Sequence, residues 1–378
     1  MKWLSRRFEL SRGGGAHNMR PMEGLRGFAV FLVFLVHYVT LVKPWIAHAP
    51  RLEAVSIGIH ALGNSGVDLF FVLSGFLIYG SLIRRPQSFI AFMRRRIHRI
   101  YPTFTTVFLI YVALSLIFKG ESKIPASVGA GAIYLAQNFF LLPGIFPIEP
   151  MITVAWSLSY EIFYYVAIPF VIAVFGLRRR SSAWRAVFFM VAAVFFTGIC
   201  AVYGGPVRLI MFISGILLSE AILGKLVPIP SALVGSTALC VGLLITLLPL
   251  AGTLGFAIKI STLFISFFFV CLACFAMPTE RLPRLFSWTP MRWLGNMSYS
   301  YYLLHGLALK AVFLVLKAIL PAENHADLLF WALLPTTFVL TLLPTAALFL
   351  LVERPFSLGS SGSKHADTNL IKNAVEKV

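Results

Sequence analysis

Apolar runs of about twenty residues recur along this chain, and the charges gather in the short stretches between them. A helix of that length crosses a hydrocarbon core of about 30 Å. The runs predict spans at residues 26–43, 65–83, 102–118, 151–176, 186–203, 207–223, 231–250, 256–276, 297–320 and 328–351. The fold class is therefore an all-α membrane protein with about ten transmembrane helices. Residues 44–64, with Pro44, His48, Pro50, Arg51, Glu53 and His60, read as an outer loop. The run RRPQSFIAFMRRRIHRIYP carries six arginines from Arg84 to Arg99, interleaved with Phe89, Ile90, Phe92, Met93 and Ile97. It predicts an amphipathic helix lying at the interface, with Pro102 opening the third span.

Residues 127–142 are apolar but short, hold Gln137 and Asn138, and end in Pro143-Gly144. If they crossed the membrane, Arg178, Arg179, Arg180 and Arg185 would fall outside, against the positive-inside rule. They are expected to form a re-entrant or buried segment. With that choice, Lys2, Arg6, Arg7, Arg12 and Arg20, the arginine run, Arg281, Arg284, Arg292 and Arg354 all fall on the cytoplasmic side. Both termini are then expected in the cytoplasm and the PAENHAD loop outside.

Charge then refines the picture. The net charge is +18, yet only 12% of residues are charged and 59% are hydrophobic. The basic residues lie between apolar runs, where they set topology and meet anionic lipid or phosphate, so a nucleic-acid partner is not expected. No polar linker divides the chain. Residues 1–19 read as a basic cytoplasmic tail rather than a cleaved signal, since no apolar h-region leads to a cleavage site. Residues 20–356 form one membrane domain, and 357–378, rich in Ser, Gly and Lys, a disordered tail. Cys200, Cys240, Cys271 and Cys274 all sit in apolar runs. The single C-x-x-C has no second pair, so buried thiols are expected and no metal site.

Few ionisable residues lie at membrane depth, where each is a candidate for function. Arg26 and His37 are eleven positions apart in an apolar helix. That is about three turns, so they share a face and stand roughly 16 Å apart along the axis. Asp68, in GNSGVDLFFVLSGFLI, either orients His37 or caps a helix start. Its small neighbours Gly63, Ser65, Gly66, Ser74 and Gly75 suit close helix packing. Glu161, in TVAWSLSYEIFYYVAIP, stands among Trp156, Ser157, Ser159, Tyr164 and Tyr165, either shaping a site or pairing with an arginine. His305 lies one turn from Tyr301 and reads as a packed, hydrogen-bonded histidine. Glu220 reads as interfacial. Arg94, Arg95, Arg96 and Arg99 exceed what orientation needs. Arg96 and Arg99 share a helix face, and forked guanidinium pairs suit a phosphate or pyrophosphate, or else lipid head groups.

EGLRGFAVFLVFLVH, GNSGVDLFFVLSGFLI, RRRIHRIYPTF, WSLSYEIFYY and NMSYSYYLLH, in this order and on this topology, resemble the membrane-bound acyltransferase type 3 family. AQNFF and the closing ERPF also fit. The resemblance covers residues 20–356. It implies ten transmembrane helices and transfer of an acyl group, often acetyl, from cytoplasmic acyl-CoA to a carbohydrate or glycolipid hydroxyl. It points to Arg26 and His37, to Arg96 and Arg99, and to Trp156, Ser157 and Glu161, with Tyr164 and Asn138 beside them as substrate-binding candidates. Many relatives have aspartate where this chain has Glu23. Some carry a fused esterase-like domain; here a second catalytic domain is expected on a separate protein. The resemblance also implies a bacterial inner membrane.

The expected chemistry follows. A sugar hydroxyl is a poor nucleophile near neutral pH, and a histidine can take its proton during attack. His37 is the candidate base, with Asp68 or Glu161 holding its tautomer. Arg26 holds the phosphates or the pantetheine arm, and Arg96 and Arg99 hold the ADP part of the donor. Acyl-CoA acts as co-substrate, with no permanently bound cofactor. An acyl-histidine relay is an alternative. A rival class is a proton-coupled transporter of a small anionic or lipid-linked substrate, because buried Arg, His, Asp and Glu also build proton paths. No paired repeat halves support it.

Overall fold

The computed structural model describes residues 2–10, 20–47, 49–276, 280–320 and 327–358. These residues are helical almost throughout. In chain order the helices are α1 (Lys2–Phe8), α2 (Arg20–Leu41), α3 (Lys43–Ile46), α4 (Pro50–Arg84), α5 (Phe89–Ile117), α6 (Val128–Phe139), α7 (Trp156–Val174) and α8 (Ser182–Tyr203). Then follow α9 (Ile210–Gly224), α10 (Ala232–Leu247), α11 (Gly252–Ala276), α12 (Arg281–Phe286), α13 (Thr289–Asn296), α14 (Ser298–Ile319) and α15 (Asp327–Leu348), which runs into π-helical turns at Phe349–Leu358. Among the described residues nine helices are long and apolar enough to cross a membrane. The sixteen-residue α10, about 24 Å long, is the tenth predicted span. The chain is a multi-pass integral membrane protein.

Several boundaries differ from expectation. The outer loop expected at 44–64 is mostly helix, and α4 runs unbroken for 35 residues, about 52 Å. Pro44 and Pro50 occupy first-turn positions of α3 and α4, where the missing N–H costs nothing. The separate interface helix before Pro102 is likewise corrected. α5 carries Pro102 inside it, so the arginine run and the third span are one helix, capped by the Ser88 hydroxyl. α6 is only twelve residues, about 18 Å, too short to cross, but it is not a buried segment: only Gly131, Tyr134 and Asn138 of it are buried. The basic tail is partly folded: Phe8 of α1 is buried against Phe349 and Trp293. His48, residues 321–326 of the PAENHAD loop, and residues 359–378 lie outside the described residues.

The bundle is layered. In their most apolar stretches α9, α4 and α2 bury 72%, 67% and 56% of residues, against 17% for α8. α4 packs along both α2 and α9, and α2 also packs on α12, α13 and α14. Close approach depends on glycine. A Cβ on Gly295 of α13 would sit 1.7 Å from the Glu23 carbonyl oxygen of α2, and one on Gly215 of α9 would sit 2.0 Å from the Val72 carbonyl oxygen of α4. Buried ion pairs tie helices at depth. Glu23 of α2 accepts from Arg292 at 3.0 Å. Glu220, expected at the interface, is wholly buried, accepts Arg185 at 2.6 and 2.8 Å, and is hydrogen-bonded by Tyr79. A charge at that depth survives only because it is paired and hydrogen-bonded. The four cysteines are free thiols; Cys240 is exposed and the other three are buried.

Candidate active site

α2 delivers Arg26 and His37 to two different cavities. A twenty-two-residue straight helix fixes their separation at about 16 Å along its axis. Arg26 lines a cavity of about 140 Å³ with Ser74, Arg96, Arg99, Ser157, Glu161, Tyr165, Ser298 and Tyr302. His37 lines a larger one, about 690 Å³, walled mainly by apolar groups such as Tyr111, Leu114, Met151, Ile152, Leu303 and Gly306.

The first cavity is cationic, with three arginines and one glutamate set among apolar walls. Arg26 donates to the Ser298 hydroxyl through Nε at 3.2 Å and Nη2 at 3.0 Å. Glu161 Oε1 accepts from the Tyr165 hydroxyl at 2.6 Å and from Ser74 at 3.1 Å. Arg96 lies over the rings of Phe92 and Tyr165, its Cζ 5.3 and 5.7 Å from their centroids, a cation–π arrangement. Its Nε is buried and has no hydrogen-bond partner among the described residues. Arg99 is held differently. Its Nη1 donates to Glu353 Oε1 at 2.8 Å, and Glu353, wholly buried, accepts through Oε2 from the Ser300 amide at 3.0 Å and hydroxyl at 2.6 Å.

A thin polar septum parts the cavities. Ser157 and Tyr302 face the first, and Val154 faces the second. Their hydroxyls lie 2.6 Å apart, and each lies 3.1 Å from the Val154 carbonyl oxygen. Beyond it His37 meets His305, ring centroids 5.0 Å apart at 69°. His305 is wholly buried, with Nδ1 2.9 Å from the carbonyls of both Tyr301 and Tyr302. Ion pairs Lys310–Glu121 (2.5 Å) and Lys123–Glu149 (3.0 Å) edge the second cavity. The Lys310 ammonium holds the exposed Glu121 carboxyl below the usual carboxylate range, so that bridge persists until pH falls past the lowered value.

The predicted residues thus divide. His37 joins the second cavity; Arg26, Arg96, Arg99, Ser157 and Glu161 join the first. Asp68 joins neither. It accepts from Arg208 Nη1 at 3.1 Å through both oxygens, so its charge is engaged by α9's leading turn and not by His37. Glu161 likewise sits across the septum from His37. Tyr164 is buried, stacked on Phe212 at 4.4 Å, and donates to the Gly75 carbonyl at 3.3 Å. Trp156 packs edge-on against Tyr160, away from both cavities. Asn138 fastens the loop after α6, its Oδ1 accepting the Met151 amide at 2.7 Å. Two anchors were not singled out from the sequence: Arg208, in the single turn Val207–Leu209 that leads into α9, and Glu353, which stands in the ERPF ending.

A multi-pass helical membrane bundle, with nine long apolar helices among the described residues and a cationic cavity set beside a histidine cavity, defines a class, and comparison with known proteins specifies it. A family model described as "Acyltransferase domain", the type 3 acyltransferases, matches residues 21–352, and the chain belongs to that family. It is 26% identical over 323 residues to the O-acetyltransferase OatA of Staphylococcus aureus, covering 75% of this chain and 49% of the relative. It is 25% identical over 319 residues to the peptidoglycan O-acetyltransferase OatA of Listeria monocytogenes, covering 75% and 48%. The acyltransferase MdmB of Streptomyces mycarofaciens is 34% identical over 153 residues, 39% of this chain and 38% of the relative. The chain spans about half the length of the OatA relatives. No solved structure matches.

Proposed function

We propose that this protein transfers an acyl group, acetyl in the simplest case, from acyl-CoA to a carbohydrate hydroxyl. The observation that carries this is the placement of Arg26 and His37 on one helix face, each in its own cavity, with only the Ser157–Tyr302 septum between them. Arg96 and Arg99 hold the donor's phosphates, because forked, charged donors suit phosphate oxygens. Arg26 guides the thioester arm toward the septum. In the second cavity His37 takes the proton of the acceptor hydroxyl as its oxygen attacks the thioester carbon. The C–S bond breaks, and the leaving thiolate of CoA receives that proton from the imidazolium. The positive-inside pattern of the arginines supports a donor cavity on the cytoplasmic side, and the bacterial relatives support an inner membrane. The names of the OatA relatives support a peptidoglycan-type carbohydrate as acceptor. Membership of an acyltransferase family removes the motive for the transporter alternative.

The test is acetyl transfer from labelled acetyl-CoA to a peptidoglycan-derived oligosaccharide by the full chain in liposomes. His37→Ala is expected to lose at least about a hundredfold in turnover while inserting normally, the usual range for a positioned acid–base group. Turnover close to that of the unaltered protein would reject His37 as the base.

A further inference from the structure

With Asp68 bonded to Arg208 and Glu161 beyond the septum, neither predicted carboxylate holds His37. His305 stands in that place, although its spacing reads only as a packed histidine. Its ring is immobilised from two sides. It stacks on Tyr301 at 5.3 Å and 9°, and the Tyr301 hydroxyl is anchored 2.8 Å from Thr341 Oγ1. Nδ1 faces two backbone carbonyl oxygens, at 2.9 Å each. Carbonyl oxygens only accept, so Nδ1 carries the hydrogen and Nε2 of the neutral ring carries a lone pair. That Nε2 is buried and has no hydrogen-bond partner among the described residues. Buried acceptors left unpaired are rare and call for a reason. The ring beside it is His37, in edge-to-face contact with 5.0 Å between centroids, close enough for a side-chain turn to bring a His37 nitrogen to it.

We infer that His305 is a positioning residue for His37: a turn of the His37 side chain out of the edge-to-face contact brings its N–H onto the His305 Nε2 lone pair and leaves the other His37 nitrogen free, with its lone pair toward the second cavity. The inference rests on the proposed role of His37. When the acceptor hydroxyl gives its proton to that free nitrogen, the imidazolium formed on His37 is stabilised by the hydrogen bond to His305, which stays neutral and gains no proton. The proton then leaves with the CoA thiolate. His305 therefore does for the base what a carboxylate does in a Ser-His-Asp triad, but with no charge to desolvate at membrane depth. The open space beside Gly306, where a Cβ would meet nothing within 4 Å, keeps this face of α14 clear for substrate.

Two substitutions separate this role from packing. In His305→Gln the side-chain end can place an acceptor oxygen where Nε2 lies. In His305→Asn the amide nitrogen replaces Nδ1 on the two carbonyls, but nothing replaces Nε2. With acetyl-CoA and a peptidoglycan-derived oligosaccharide, His305→Asn is expected to lose about a hundredfold in kcat with an unchanged KM for acetyl-CoA, and His305→Gln to stay within about tenfold of wild type. If the nitrogen on the carbonyls is what matters, the order reverses, with Asn active and Gln impaired; that result, or equal losses, overturns the inference. A second measurement stands if a single variant folds poorly. Adding His305→Asn to His37→Ala is expected to cost nothing further, whereas an additive loss contradicts action through His37. Full activity of His37→Ala would instead defeat the base assignment itself, and so is distinguishable from failure of His305 alone.

Discussion

Arg96 and Arg99 look equivalent in sequence, one turn apart on one face, yet their surroundings assign them different costs. Arg96→Gln removes a guanidinium whose Nε is unpartnered among the described residues and whose plane rests on Phe92 and Tyr165. The folded state loses the two cation–π contacts, about 0.5–1 kcal/mol each. A charge-assisted bond to a donor phosphate is worth about 1.5–3 kcal/mol, which is roughly ten- to a hundredfold in KM for acetyl-CoA. Arg99→Gln instead strands Glu353, which is 0% exposed. Breaking a buried pair costs about 3–5 kcal/mol, and with the Arg99 side chain 26% exposed the low end, about 3 kcal/mol, applies. Arg99→Gln should therefore unfold several degrees earlier in detergent, and Arg99→Gln with Glu353→Gln should recover most of that loss, since two amides carry no unpaired charge. Thermal unfolding and steady-state kinetics on the four proteins check this. An equal thermal loss for Arg96→Gln, or no recovery in the double variant, would refute the division of labour.

Other outcomes follow from the same geometry. Gly306→Leu meets no protein atom at its Cβ, so it should fold normally, fill the second cavity, and lower transfer at least about tenfold with the KM for acetyl-CoA unchanged. Asp68→Asn should lower thermal stability through Arg208 and leave kcat within about threefold; a large kcat loss at unchanged stability would return Asp68 to His37. Gly295→Ala drives a Cβ to 1.7 Å from the Glu23 oxygen, so α2 and α13 must part by over an ångström. Overpacking of that kind costs about 1–3 kcal/mol or more and should reduce the yield of folded protein in membranes.

The class of fold was legible because hydrocarbon imposes one rule: backbone groups must be satisfied within each helix, so length and apolarity suffice. Ten predicted spans correspond to nine long helices among the described residues and α10. Boundaries were less legible where proline was involved, since Pro50 starts a helix and Pro102 sits within one, and only packing decides which. The arginine–histidine spacing carried the two cavities, because a straight helix turns spacing into distance. Partners were a different matter. Asp68 belongs to Arg208, 140 positions away, and Arg99 to Glu353, 254 positions away. Such pairs are set by which helices touch, and no local pattern encodes that. His305 was visible as a residue, but its free Nε2 exists only in three dimensions.

The most direct test of the account separates the two cavities by a membrane. The full chain is reconstituted in liposomes of known orientation, with labelled acetyl-CoA on the side of Arg96 and Arg99 and the oligosaccharide enclosed on the other. The account predicts label on the enclosed acceptor, dependent on His37, with free CoA left on the donor side. Label transferred only when donor and acceptor share one side, or transfer unaffected by His37→Ala, would contradict it.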